Sequence, residues 1–490
     1  MTTSVPAPGR RGYLAVTLTA SGGTFLAMLD STVTNLAVPD LSEDFPTASL
    51  PDLSWVISAY AVMFAALLVP AGRLSDVLGR RRLFLLGIGL FTAASLLCGI
   101  APNLPVLIIT RGLQGIGAAA MIPASLAILL LDGPADQRVK SIGLWSAASA
   151  FAAAVGPSVG GVLVDLFGWR SVFYVNLPFG ILLIFAAVRL LPRPADPGKK
   201  QMPDPLGTLL VALAVGAATL GVTEGGTWGW WDARTLACLV GGAAGGVVAV
   251  LRSRKHPAPA LEASLLGNRS FAVTNVVSLL YGMAQYPWLL VSVLYLTGPW
   301  QYSELKAGFA MTPGAVAASV AALAMSRLAP RLGGPRGATL AGLTAFVACG
   351  LWMILGLTET SSFLAFWLPA GCLAGLAMGA ATMGTSASAA LSAPPTRFAA
   401  ASGMNTTARQ FGGALGIAAL AVIMQQSMGD VGDRGLDPYA DVFAFCTVVA
   451  GLALVISVLW LRVAVPPQAQ PAPVATAQTP SPATEEGHRG

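Results

Sequence analysis

Fourteen apolar stretches, each long enough to cross a bilayer, dominate this chain and leave it few folds to choose from. An apolar helix needs about 20 residues to span the hydrocarbon core. Divided at its charged, Pro and Gly clusters, the sequence gives stretches at 13–38, 52–72, 83–100, 104–131, 141–166, 171–191, 206–224, 234–251, 270–297, 307–326, 337–357, 361–391, 398–426 and 440–464. Backbone groups in lipid must be satisfied within the segment, and runs of this length without period-two alternation do not suit barrel strands. The expected class is an all-α integral membrane protein with fourteen transmembrane helices. Charged residues are only 10% of the chain, against roughly 25% in soluble domains, so water cannot be its main solvent.

The charges that remain report topology. With the N-terminus inside and sides alternating, 22 of the 28 Lys and Arg fall in inner loops, among them Arg73, Arg80, Arg81, Arg82, Arg138 and Arg397. Outer loops hold Arg170, Arg234, Lys306 and Arg434, while Arg111 and Arg409 lie within spans. Cytoplasmic loops carry the excess of basic residues, so both termini are expected in the cytoplasm and the protein in the plasma membrane. The net charge of +6 comes in short runs between apolar stretches, with no stripe suited to phosphates, and no nucleic-acid partner is expected. The five cysteines lie in apolar segments without metal or disulfide spacing. His256 and His488 lie outside the spans, and neither a GxSxG nor a Walker loop occurs, so neither an enzyme nor ATP coupling is expected. No cofactor is expected.

A weak repeat organises the spans. GRLSDVLGRRR (72–82) follows the second span, and SRLAPRLGGPR (326–336) follows the tenth; at an offset of 254, Arg73/Arg327, Leu74/Leu328, Leu78/Leu332, Gly79/Gly333 and Arg82/Arg336 coincide. The chain then parses into a cytoplasmic arm (1–12), a six-helix bundle (13–191), a linker with two extra spans (192–269), a second six-helix bundle (270–464) and a tail (465–490). The Pro/Ala/Thr-rich tail is expected to be disordered. Two pseudo-symmetric bundles place a small-molecule site between them near the membrane midplane.

Few polar residues inside the spans escape a topological explanation. Asp30 lies about eight residues, roughly 12 Å, from the outer end of the first span. Such an acid costs at least about 2.5 kcal/mol unless paired or functional, and desolvation disfavours the charged form of a buried carboxyl. Arg111 enters the fourth span to a matching depth of about 10 Å, which suggests a direct or water-bridged pair with Asp30. Arg409, with Asn405 and Gln410, sits near the midplane of span 13, as a substrate or gating group or as a structural tie. Gly156, Pro157, Gly160 and Gly161 put a missing donor and a close-approach surface in span 5, for packing or for a bend. Asp76, four residues before Arg80, can form a latch between the halves, which Pro330 in the second loop cannot repeat. Glu224 is expected to be interfacial. Tyr281, Met283, Tyr286, Trp288 and Tyr295 in span 9 line an apolar cavity or belong to the core.

Seven segments together resemble the major facilitator superfamily, and specifically its fourteen-span drug:proton antiporters. They are LDSTVTNLAVP (29–39), WVISAY (55–60), the loop 72–82 with Asp76, Gly79 and Arg80 in register, LIITRGLQGIGAA (107–119), AVGPSVGG (154–161), GWRSVFYVNLPFG (168–180) and NTTARQFGGALG (405–416). One departure is Ala152, where the family pattern begins with Gly. The resemblance implies proton coupling at Asp30 and Arg111, and a gating loop of Gly72, Asp76, Gly79, Arg80 and Arg81. It implies an antiporter bend at Gly156, Pro157, Gly160 and Gly161, and substrate or gating contacts at Asn35, Gln114, Asn405 and Arg409. The implied activity is export of small amphipathic or cationic drugs, antibiotics or toxic metabolites by a monomer, in exchange for protons; the alternative is a proton-coupled importer or uniporter on the same fold.

Overall fold

The computed structural model describes residues 10–131, 137–192, 202–429 and 435–462. The tail 465–490 lies outside them, as do residues 1–9 of the arm and the side chains of Asn35 and Pro157. All regular elements among the described residues are helical. The first six spans are α1 (Arg10–Val33), α2 (Leu50–Leu78), α3 (Arg80–Gly99), α4 (Leu104–Leu131), α5 (Arg138–Phe167) and α6 (Asn176–Leu190), the last led in by a short turn at Ser171–Tyr174. Two more, α7 (Pro205–Trp228) and α8 (Ala233–Lys255), precede the closing six. Those are α9 (Arg269–Thr297), α10 (Glu304–Leu328), α11 (Pro335–Gly356), α12 (Leu368–Leu391), α13 (Phe398–Gly429) and α14 (Asp437–Trp460). Thirteen pass as membrane spans outright, and α5 is the fourteenth once its 41° bend between Ala153 and Ser158 is counted within one span. Pro157 falls within that bend, and a proline has no N–H to give to the carbonyl four residues before it.

Local sequence sets several helix starts. Ser49 and Asp52 form a reciprocal capping box at α2, and Asn268 accepts from the N–H groups of Ser270 and Phe271 at α9. Gly79, at φ +97°, separates α2 from α3 in a conformation that side chains bearing a Cβ rarely adopt. Large apolar residues such as Leu86, Phe167 and Leu355 are 65%, 70% and 86% exposed, which suits a surface solvated by lipid chains.

The first span differs from its sequence reading. The α-helix ends at Val33, continues as a 3-10 turn (Thr34–Ala37) and restarts as a short helix (Val38–Asp44) with Pro39 in its first turn. Asp30 is therefore close to the end of α1, and its burial comes from the helices packed around it rather than from depth along its own.

Within the opening six, α4 packs against α2 and α3; within the closing six, α12 packs against α10 and α11. The two largest contacts between the bundles, α5 with α10 and α2 with α13, are pseudo-equivalent, second helix against fifth in each case, and smaller ones join α4 to α13 and α5 to α12. Helix α7 lies over the seam between α2 and α13, with α8 outside it. The linker is pinned at one end by Asp204, which accepts from Arg252 through both carboxylate oxygens and donates its N–H to Ala258 O at 2.9 Å. The Arg252 guanidinium holds the Asp204 carboxyl down to about 2.

The internal repeat survives with its register moved by one. Arg81 Nη2 donates to Val188 O at 2.8 Å, and Arg336 Nη2 donates to Val458 O at 2.9 Å, so each arginine closes the last helix of its own half. Both sit second in their helices, behind Gly79 and Gly334, which makes the offset there 255 rather than 254. The extra residue is accommodated by the 3-10 turn Ala329–Leu332 and two successive positive-φ glycines, Gly333 and Gly334.

Gly72 tests the α2–α13 seam, because a Cβ there would come 2.6 Å from Ala399 O and 3.0 Å from Ala400 Cα, both backbone atoms that cannot turn aside. Gly72→Leu is expected to lower the stability of the purified protein by about 1–3 kcal/mol, read as apparent thermal unfolding in detergent. Gly89→Leu, where a Cβ meets nothing within 4 Å, serves as the control and should be close to neutral.

Candidate functional site

Asp30, on α1, has no exposed surface, and Arg111, on α4, is 1% exposed. They meet directly: Arg111 Nη1 donates to Asp30 Oδ2 at 2.7 Å. The same nitrogen donates to Gln114 Oε1 at 2.6 Å, and Arg111 Nε donates to Val56 O on α2 at 3.0 Å. The guanidinium carbon lies 4.5 Å from the Tyr60 ring centre, which adds a cation–π contact in a water-excluded place. Asp30 Oδ1 accepts from Gln114 Nε2 at 2.8 Å and from Asn176 Nδ2 at 2.7 Å. Ser95 Oγ on α3 accepts from both amides, at 3.3 and 3.0 Å, and donates to Phe173 O at 2.9 Å. A buried charge is tolerable only when paired and hydrogen-bonded, and here one carboxylate draws donors from α4 and α6.

Gln114 thus belongs to the acid's own cage. Asn176 and Ser95 are residues that sequence reasoning missed. Asn176 stands inside the quoted segment GWRSVFYVNLPFG, one turn into a span, and a buried amide there was the available signal. Its Oδ1 is buried without a hydrogen-bond partner.

The bent helix supports this cage from behind. A Cβ on Gly156 would strike the Thr32 side chain, and one on Gly160 would lie 3.0 Å from Leu36 Cδ1 and 3.2 Å from Val33 Cα. Both glycines therefore seat α5 on α1 within a turn or two of Asp30, whereas Gly161 faces Leu305 near the start of α10, at 3.4 Å from its Cδ1.

A second cluster sits where the basic ends of the helices meet. Asp76 Oδ2 accepts the N–H of Ala400 at 3.1 Å, in the first turn of α13. A carboxylate there satisfies an orphan donor and faces the positive end of the helix dipole, so the latch between halves runs from Asp76 to a helix N-terminus. Glu262, between α8 and α9, was not singled out from sequence. Its side chain is 3% exposed and pairs with Arg73 Nη1 of α2 at 2.8 Å and with Arg397 Nη1, just before α13, at 3.0 Å. Arg73 Nε also donates to Pro259 O at 3.2 Å. One linker carboxylate thereby ties the two halves together; an acid in an otherwise basic loop was the cue.

Other expectations divide. Glu224, four residues before the end of α7, is 2% exposed and hydrogen-bonded to Ser58 of α2. Trp288 and Tyr295 belong to the core of the second bundle, Trp288 packing on Phe346 and Phe443 with ring centres 4.9 Å away in each case. Tyr281 is also in that core, while the Tyr286 hydroxyl donates to Gln410 Oε1. Asn405 Nδ2 donates to Ser278 Oγ at 2.7 Å, and Arg409, 7% exposed, lies one turn further along α13.

A family model described as the Major Facilitator Superfamily matches residues 20–416 and, again, 271–486. The chain belongs to the major facilitator superfamily. Members of that superfamily are transporters, not enzymes. The multidrug resistance protein Stp of Mycobacterium tuberculosis (strain CDC 1551 / Oshkosh) is 33% identical over 411 residues, covering 84% of this chain and 75% of that protein. The puromycin resistance protein pur8 of Streptomyces alboniger is 35% identical over 450 residues, covering 89% and 86%. The cephamycin export protein CmcT of Amycolatopsis lactamdurans is 31% identical over 479 residues, covering 93% and 96%. Among solved structures, the human organic anion transporter MFSD10 (TETRAN) superposes with a TM-score of 0.67 at 16% identity, covering 91% of this chain and 99% of that one. At that identity the likeness is one of fold.

Superfamily membership does not say how strongly the buried pair is coupled. Arg111→Leu is expected to cost about 3–5 kcal/mol by stranding the Asp30 carboxylate, whereas Asp30→Asn combined with Arg111→Leu should recover most of that loss. Apparent thermal stabilities of the four proteins of this cycle measure the coupling, and additive effects contradict it.

Proposed function

We propose that this protein exports small amphipathic compounds across the plasma membrane in exchange for protons, as a monomer with both termini in the cytoplasm and no cofactor. The observation that carries the reading is the Asp30 carboxylate, fully buried and neutralised by one arginine. A proton on Asp30 removes the charge that holds Arg111, and the guanidinium keeps Gln114 Oε1, Val56 O and the faces of Tyr60 and Phe173. Asn176 Oδ1, buried without a partner, becomes an acceptor for the new O–H if its amide turns over. Protonation therefore rearranges contacts among α1, α2, α4 and α6, which gives a conformational change its differential free energy.

The remaining machinery suits alternating access. Gly156 and Gly160 set α5 directly against the α1 segment beyond Asp30, so a shift in α1 is passed to the helix that meets α10 of the other half. Asp76 on the α13 N-terminus, with Glu262 between Arg73 and Arg397, forms a clasp on the cytoplasmic side that must open for substrate to enter. Arg80, Arg81 and Gly79 shape the loop that carries it.

Export is favoured over import by the relatives, two named for drug resistance and one for export. The energetics are adequate: one charge moving through 100 mV releases about 2.3 kcal/mol, enough for roughly a 50-fold gradient of a neutral solute.

The test is transport in everted membrane vesicles with and without an imposed pH gradient. The wild type is expected to accumulate substrate only with the gradient. Asp30→Asn is expected to lose that accumulation while still exchanging labelled for unlabelled substrate. Full gradient-driven accumulation by Asp30→Asn rejects the mechanism, and substrate moving with the proton rather than against it makes the protein an importer.

A further inference from the structure

Arg409 carries the one buried cationic side chain for which the described residues supply no carboxylate. It is the twelfth residue of α13, about 17 Å along the helix and so near mid-membrane, and is 7% exposed. Its Nη1 is buried without a hydrogen-bond partner. No ion pair to it is formed among the described residues, in contrast to Arg111, whose charge is matched by Asp30. The nearby groups do not substitute for an anion. Tyr281 and Tyr286 of α9 lie within electrostatic range of Arg409, but the Tyr281 hydroxyl donates to Met378 O and the Tyr286 hydroxyl to Gln410 Oε1. Glu224, the other buried acid within a span, is turned toward Ser58 of α2.

The buried acid of the first half is already matched. Asp30 is saturated by Arg111, Gln114 and Asn176. Arg409 is left as the buried cation without a matching carboxylate among the described residues. A planar guanidinium with an open nitrogen presents paired N–H donors that match a carboxylate, and such a bond gains strength where water is excluded. Helices α9 and α13 are in backbone contact at this level, since a Cβ on Gly282 would strike the carbonyl of Arg409. The arginine is thereby positioned from its own backbone. Tyr60, which stacks under Arg111, lies within electrostatic range of both Asp30 and Tyr286.

We infer that Arg409, with Tyr281 and Tyr286 beside it, is an anion subsite, and that the transported compounds include aromatic or amphipathic carboxylates whose carboxylate it binds. This rests on the reading of the protein as a small-molecule exporter, but not on proton coupling.

The experiment measures equilibrium binding to the full-length protein in lipid nanodiscs at neutral pH with no pH gradient. The probes are 1-naphthoate and 4-biphenylcarboxylate, each compared with its neutral primary amide. In the wild type at least one carboxylate should bind more tightly than its amide. Arg409→Gln should weaken that carboxylate by about 10- to 100-fold while leaving the amide unchanged. Arg409→Lys, which keeps the charge but not the fork, should retain part of the preference. The inference is overturned by any of three results: no carboxylate binds the wild type, carboxylate and amide bind equally, or Arg409→Gln leaves the carboxylate affinity intact. If Arg409→Gln does not fold, Arg409→Lys decides: an undiminished carboxylate affinity there overturns the fork, and a selective loss supports it. Because no gradient is imposed, a failure of proton-driven transport leaves this outcome readable.

Discussion

A carboxylate and a guanidinium placed together out of reach of water constrain everything around them. Neither Asp30 nor Arg111 can be buried alone without a penalty of several kcal/mol, and the pair is stable only while the surrounding donors and acceptors are also in place. Gln114, Asn176, Ser95 and the carbonyl of Val56 meet that requirement from α2, α3, α4 and α6. The packing of five helices of the first bundle thus converges on one acid. In a low-dielectric network of this kind each hydrogen bond polarises the next, so its members hold one another in place.

The second constraint is how two such bundles stay joined. Small residues let α2 approach α13 at Gly72, and α5 approach α1 at Gly156 and Gly160. Over these flat contacts, charges act as clasps. Asp76 accepts a backbone N–H at the start of α13, while Glu262 gathers one arginine from each half. The linker with α7 and α8 is therefore more than a spacer: it lies over one seam and supplies the acid at its end. Arg81 and Arg336 do the same task in each half, closing the sixth helix on the third, and this shared duty marks the repeat more reliably than letter identity.

Much of this was legible beforehand. The spans and the all-helical class follow from hydropathy, because lipid forbids unsatisfied backbone and leaves few alternatives. Asp30, Arg111 and Arg409 stood out because a charge inside a span has a cost that topology does not repay. Asn176 and Ser95 did not, since neutral polar side chains are common in membrane helices and carry no such penalty until a neighbour needs them. The contact of Glu224 with Ser58 was equally illegible, since it depends on α7 lying against α2.

Sequence alone determined the solvent, the number and nature of the spans, the scarcity of intramembrane charge and the identities of the charged residues, since each is a property of a segment read by itself. Tertiary structure decided which charges are matched. Whether an arginine inside a membrane has a counter-ion depends on residues eighty or more positions away, as with Asp30 and Arg111, and on which helices the halves bring together. The same residue type is therefore neutralised in α4 and left open in α13, and only the packing of α1, α9 and their neighbours tells the two apart.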